Sequence, residues 1–406
     1  MSPSNPEISA IEERDAIENE TRRGAFLRRI NSGQIGSLRV LIGIVVIWTI
    51  FQIANDRFLT SINLENLMLQ ITAVAVISIG VVLVLLLGEI DLSVGAVSGL
   101  AAGVMAVLYT KHGWNPNLAM LAGLATGAAI GCFNGIMITQ FRVPSFVVTL
   151  AGLLGWQGVL LWVLGDEGTV NLVPASTITD LTSTFFSDTV GWILGLATIA
   201  AFTLVALQKR RSRSKAGLPP GPIVGTIIRL VATSIAVLGA VYIMNDDRGV
   251  PLAVVIMLVL MAFFTFITER MRFGRHIFAV GGNEEAARRA GIRVDGVRIA
   301  VFTLASTLAA AGGILAASRL IAVNQSSGSG DLLLLAIAGP VIAGTSLFGG
   351  RGFVFSALLG AIVIGSISNG MDLLALESSV KYMITGAVLL AAVTLDSATQ
   401  KRRATT

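Results

Sequence analysis

Charge is scarce in this chain. Asp, Glu, Lys and Arg make up 13% of its 406 residues, against about 25% in an ordinary soluble domain. With 54% hydrophobic residues and a mean hydropathy of +0.80, a water-solvated globule is excluded and an integral membrane protein is required. Cysteine is nearly absent: Cys132 stands alone, so no disulfide can form within the chain. The two histidines, His112 and His276, lie far apart, which argues against a zinc or haem centre. None of the five lysines follows a glycine, so no Walker A loop exists and this chain cannot bind ATP through one. Neither H-E-x-x-H nor G-x-S-x-G occurs, and nothing points to an enzyme.

What is present is a series of apolar runs long enough to span or enter a bilayer, which takes roughly 20 helical residues. Twelve candidates cover 38–54, 68–87, 92–109, 118–139, 145–164, 190–207, 226–244, 251–268, 298–317, 332–348, 353–369 and 379–395. The fold class expected is all-α, a polytopic bundle of ten to twelve spans. The run 332–348 is short enough to be a re-entrant or tilted half-span. Residues 1–37 lack the apolar core of a signal peptide and read as a cytoplasmic tail, with a second tail at 397–406.

Orientation follows from the basic residues. With both termini inside, 24 of the 29 Lys and Arg fall on the cytoplasmic side and five outside: Arg57, Lys111, Arg248, Arg319 and Lys381. The basic cytoplasmic segments are a loop at 208–225 and a longer loop at 269–297. The pI of about 9.8 thus reflects membrane topology rather than nucleic-acid binding.

The loop 269–297 contains a charged stretch, "AVGGNEEAARRAGI" (279–292), between two apolar runs. Asn283 is a good N-cap, and Glu284 and Glu285 suit the positive end of a helix dipole. Arg288 and Arg289 follow four residues later, and Gly291 suits the helix stop. Gly281 and Gly282 read as a hinge into this helix, and Ala286, Ala287 and Ala290 as a smooth flank for close approach of another protein. A solvated connector is the alternative reading.

"GEID" is the one place where two carboxylates, Glu89 and Asp91, sit between membrane-length runs. An intramembrane carboxylate is a functional candidate by default. The competing reading makes Asp91 an N-cap of the next helix, assisted by Ser93. Asn134 and Asn369, each followed by Gly, are polar breaks in glycine-rich spans. Pro144 precedes a helix carrying Ser145, Thr149 and Gln157, neutral groups for a sugar or for neighbouring helices. "AGTSLFGGRG" (343–352) reads as a loop beside the half-span, with Phe348 as a packing or plug residue. Trp48, Trp114, Trp156, Trp162 and Trp192 read as an interfacial belt.

"FGRHIFAVGGNEEAARRAGI" resembles the coupling loop of permease subunits of ATP-binding-cassette sugar importers, the ribose/xylose-type family. Three further stretches resemble the same family: "GEIDLSVGAVSGLAAG" (88–103), "FNGIMITQFRVPSFVVTLAGLLGWQGV" (133–159), and the C-terminal "SNGMDLL" with "KYMITGAVLLAAVTLDSATQKRR". The resemblance covers roughly 38–403, and "NDDRGVP" with the segment 190–244 is similar to xylose-type members. Glu89 is a departure, standing where relatives often carry glycine, although xylose-type members can carry an acidic residue there.

The resemblance implies a non-enzymatic permease of a bacterial inner membrane, carrying a monosaccharide inward. It implies a cytoplasmic ATPase subunit that holds ATP-Mg, a periplasmic or lipid-anchored sugar-binding protein, and a second permease copy in a homodimer, embedded in membrane lipid; this chain itself would hold no cofactor and no metal. ATPase coupling falls to Gly281, Gly282, Asn283, Glu284, Ala286, Ala287, Arg288 and Gly291. The substrate-path candidates are Glu89, Asp91, Ser93, Asn134, Ser145, Phe146, Thr149, Gln157, Thr345 and Asn369. A cation-coupled secondary transporter and a permease for another sugar or a branched-chain amino acid remain the alternatives.

Overall fold

A computed structural model of the chain describes residues 36–218, 223–329 and 331–387, together with Leu390 and Thr394. The tails expected at 1–37 and 397–406 therefore lie outside the described residues except for 36–37, as does most of 388–395.

The described residues form a predominantly helical, multi-pass bundle. The helices are α1 (Gly36–Ala54), α2 (Ser61–Leu86), α3 (Val94–Thr110), α4 (Pro116–Gln140), α5 (Ser145–Leu164), α6 (Thr177–Ser183), α7 (Asp188–Lys215), α8 (Ile223–Asn245), α9 (Leu252–Arg270), α10 (Arg272–Gly282), α11 (Glu284–Arg289), α12 (Val294–Leu320), α13 (Asp331–Ile342) and α14 (Ser356–Leu373). A further helical stretch runs over 378–387. Eight of the described helices are long and apolar enough to cross a membrane, and three shorter apolar helices join them: Val40–Ala54, Val94–Thr110 and Leu332–Ile342. Two short antiparallel ribbons tie the loops at one end: β1 (Thr169–Asn171) with β4 (Ala322–Asn324), and β2 (Phe185–Phe186) with β3 (Val250–Pro251).

The bundle is organised around α2 and α12. Twenty of the 26 residues of α2 are buried, among them Ile71, Val76, Ile79 and Leu83. α12 packs on α2, α3 and α4. Lipid hydrocarbon is as apolar as leucine, so close helix contact comes from small residues rather than from expelling water. On α4 these recur every fourth position: Gly123, Gly127, Gly131 and Gly135. A methyl group on Gly127 would lie 2.6 Å from the Ser306 carbonyl oxygen, and one on Gly135 2.7 Å from the Ile299 Cα. Gly131 presses likewise against the Phe302 carbonyl. Gly127, Gly131 and Gly135 let α12 lie backbone to backbone on α4, while Gly123 faces the Ala101 carbonyl of α3.

Several sequence expectations change. The basic run 209–215 is the end of α7, not part of a loop, so the hydrophilic connection begins near Ala216. Gln, Lys and Arg are good helix formers, and Arg213 and Lys215 suit the negative end of the helix dipole. Run 332–348, by contrast, agrees with its half-span reading: it holds the 12-residue α13, about 18 Å long, too short for a 30 Å core. Trp48 and Trp156 are not belt residues. Trp48 sits inside α1 and donates to Ser366 Oγ at 2.8 Å, and Trp156 lies mid-α5 with its ring edge on Phe133.

Candidate functional site: an ion-paired cleft

The charged stretch 279–292 folds as its chemistry requires. Asn283 Oδ1 accepts from the Ala286 N–H at 2.9 Å, capping α11. Arg288 pairs with Glu284 and Arg289 with Glu285, each at 3.1 Å and four residues apart. Gly291 takes φ +83°, and the helix closes with two reversed bonds, Gly291 N–H to Arg288 O and Ile292 N–H to Ala287 O.

Two details correct the sequence reading. Gly281 and Gly282 are not a hinge: both are helical, the last residues of α10. Gly281 is wedged against the Leu86 carbonyl at the end of α2, 2.8 Å from the Gly350 nitrogen to where its Cβ would stand. The small residue serves close contact, while the space beside Gly282 is open. The alanine flank also divides. Ala287 is buried in the core, whereas Ala286 and Ala290 are exposed. Only these two offer a smooth outer surface.

Arg298, in the second turn of α12, joins this helix to the rest. Its guanidinium lies 2.9 Å from Glu89 and 2.7 Å from Glu284, with a second bond of 3.2 Å to Glu284. Glu89 belongs to the turn between α2 and α3, so one cation connects α11, α12 and that turn. Burial pushes the Glu284 carboxyl up, but hydrogen bonds from Arg298 and Arg288 outweigh it and hold the group below the ordinary carboxylate range. These residues border a cleft of about 540 Å³, completed by Thr139, Gln140, Arg142, Pro144, Ser145 and Asp295. Arg298 was missed from sequence because nothing local marks it among seven arginines of the same stretch.

Behind the cleft lies a buried polar group. Ser93, not Asp91, is the N-cap of α3; Asp91 Oδ1 accepts from the Ser93 N–H at 2.8 Å and from its hydroxyl at 2.6 Å. The Asp91 side chain thus braces the residue before the helix rather than capping its first turn. Asn134 Nδ2 donates to Ser93 Oγ at 3.2 Å. Among the described residues, Asp91 Oδ2 and Asn134 Oδ1 are buried without a hydrogen-bond partner. Thr149 donates to Ser145 O at 2.8 Å and approaches Ile90 O at 3.3 Å, tying α5 to the same turn.

Other candidates lie apart. Asn369 is engaged in a reciprocal amide pair with Asn63, at 2.8 and 3.0 Å, between α14 and α2. Thr345 shares a 2.7 Å hydroxyl bond with Ser356. Gln157, farther along α5, donates to Gln325 O at 2.6 Å. Phe146 is exposed on α5, and Phe348 is exposed on its loop rather than packed.

Residues 63–393 match the family model described as the branched-chain amino acid transport system / permease component. The chain belongs to this permease family. It is 36% identical over 364 residues to the xylose transport system permease protein of Haemophilus influenzae, covering 89% of this chain and 96% of that protein. It is equally similar to its namesake in Escherichia coli K12, of which 92% is covered. The ribose import permease protein of the same strain is 31% identical over 360 residues, 89% of this chain and 93% of that one. No solved structure matches. As a permease, the chain has Glu284, Arg298 and Glu89 joining three of its elements at one end of the bundle.

Proposed function

We propose that this permease is the membrane-spanning subunit of an ATP-binding-cassette importer for a pentose of the D-xylose type. It sits in a bacterial inner membrane with both termini in the cytoplasm, as the 24-to-5 distribution of Lys and Arg supports. A separate ATPase docks on α11 through the exposed Ala286 and Ala290, a sugar-binding protein delivers from outside, and a second copy completes a homodimer. ATP-Mg belongs to the ATPase; no cofactor is assigned to this chain.

The observation that carries the reading is the likeness to two xylose permeases over nearly the whole chain, together with a short capped helix that is joined to the α2–α3 turn through Arg298 of α12. A rigid α11 bonded through Arg298 transmits displacement to Glu89 and α12. Its movement would open or close the inner mouth around Asp91, Ser93 and Asn134, a rigid-body device.

The test is reconstitution in liposomes with the partner ATPase and sugar-binding protein. ATP-dependent accumulation of D-xylose is expected, with none by the permease alone. Accumulation by the permease alone, driven by a proton or sodium gradient, overturns the reading; uptake of leucine in place of pentose overturns the substrate class. Ala286→Trp should abolish uptake and ATPase capture while the protein stays in the membrane. Ala287 is unsuitable for this test because it is buried.

A further inference from the structure

We infer that the segment 324–329, with Gln157, forms a neutral polyol-binding strip that runs from the β1–β4 ribbon, where Asn324 pairs with Thr169, down to the middle of the transport path at Ser327 and Gly328; this rests on the sugar reading above. The sequence "IAVNQSSGSG" (321–330) contains no charge and, beyond Val323, no large apolar side chain. Ala322–Asn324 pairs with β1, and the chain then drops as irregular backbone toward α3. The Ser327 carbonyl presses on Gly99, and the Gly328 carbonyl on Gly95. Gly328 has φ +75°, and a Cβ there would stand 2.7 Å from the Gly99 nitrogen, so the approach requires glycine on both sides.

Depth gives the segment its meaning. Gly99 is 11 residues before the end of α3 at Thr110, about 16 Å by helical rise, or near the midplane of a 30 Å core. Asn324, Gln325, Ser326 and Ser329 are nonetheless exposed. Irregular polar backbone at that depth cannot face lipid, because nothing there satisfies its polar groups; it must face water or protein. A short helix on either side of a break, α3 after the "GEID" turn and α13 after this segment, is the arrangement that transporters use for a substrate site.

The chemistry available is neutral. Among the described residues, the Ser326 hydroxyl, the Gln325 side-chain amide and Gln157 Oε1 make no hydrogen bond, while Gln157 Nε2 donates to the Gln325 backbone carbonyl at 2.6 Å and the Gln325 backbone N–H donates to Gly168 O at 3.1 Å. Amides and hydroxyls both donate and accept, which matches the vicinal hydroxyls of an aldose and gives no purchase to a charged solute. The absence of an ionic contact suits a site that must release its cargo.

The test uses the full complex in liposomes, with Cys132→Ser as background and Ser326→Cys added. A membrane-impermeant charged thiosulfonate should modify Ser326→Cys, and D-xylose with its binding protein should slow modification at least fivefold. Ile193→Cys, on the exposed side of α7, should react only with a lipophilic maleimide. Gln325→Ala and Gln157→Ala should raise the KM for uptake about tenfold with the maximal rate kept. Reaction of Ser326→Cys with the lipophilic reagent alone overturns the inference. So does oxidative cross-linking of Ser326→Cys to a second copy, which would make this face a dimer contact. Modification by the charged reagent with protection by leucine and not D-xylose would keep the path and overturn the sugar assignment.

Discussion

The Arg298 guanidinium lies 2.9 Å from the Glu89 carboxylate, although 209 positions separate them in the chain. Both side chains are about one-sixth exposed, so the pair is screened less than a surface ion pair. The same guanidinium holds Glu284 through two bonds, a fork that lysine cannot reproduce. Glu89, in the turn between α2 and α3, is thus paired across the bundle with a cation on α12.

Arg298→Gln should therefore separate docking from transport. ATPase capture by the permease and basal hydrolysis should persist, while D-xylose uptake falls at least tenfold. Arg298→Lys should recover part of the rate. The measurement is the ratio of sugar moved to ATP hydrolysed in liposomes; an unchanged ratio in Arg298→Gln would remove Arg298 from the transmission path.

Glu284 predicts a pH dependence. Its carboxyl titrates below its ordinary value of about 4.3 because Arg298 and Arg288 favour the charged form. A depressed pKa contributes stability that is fully present above the unfolded value and is lost as pH falls through the folded one. Wild type should thus exceed Glu284→Gln in thermal stability by a constant margin above about pH 5, and the margin should shrink below about pH 4. A margin unchanged at pH 3 would contradict the pairing.

Gly281 and Gly282 should respond differently although adjacent. A methyl group at Gly281 meets the Leu86 carbonyl and the Gly350 nitrogen, backbone that cannot easily yield. Gly281→Ala should cost about 1–3 kcal/mol by overpacking. Gly282→Ala, with nothing near its Cβ position, should fall within about 0.5 kcal/mol of wild type. Thermal melts of the purified permease in detergent make the comparison.

The local features were legible in the sequence. The helix 145–164 was bounded by Pro144, and α11 by Asn283 and Gly291, because caps and breakers act within a few residues. Hydropathy located the apolar middle of α7 but was blind to its basic extension to Lys215, which is helical without being apolar. The contacts across the bundle were not legible. Nothing near Glu89 names Arg298, and nothing near Asn369 names Asn63, because such partners are set by how the helices pack. The glycine row on α4 lay open to a four-residue count, but which helix it receives depends on the tertiary fold.

The other end of α2 supplies the last prediction. Glu65 is fully buried there, 2.6 Å from the Arg248 guanidinium, and its second oxygen accepts from the Arg248 backbone N–H at 3.1 Å. Arg248 is 46% exposed and lies over the Phe185 ring at 4.4 Å. The two partners are thus unequal in what their loss leaves behind. Arg248→Ala strands a buried carboxylate and should cost about 3–5 kcal/mol, the range for breaking a buried pair from the exposed side. Glu65→Gln leaves a guanidinium that can turn toward water and keep Asp247 at 3.4 Å, so it should cost about 1 kcal/mol, near the value of one hydrogen bond. The double variant Glu65→Gln with Arg248→Ala should recover most of the loss seen in Arg248→Ala, because the uncompensated charge is gone. Thermal unfolding of the four proteins in one detergent measures the cycle. Equal costs for the two single variants would show that the carboxylate is not buried in the membrane-embedded protein, and would place water at this end of α2.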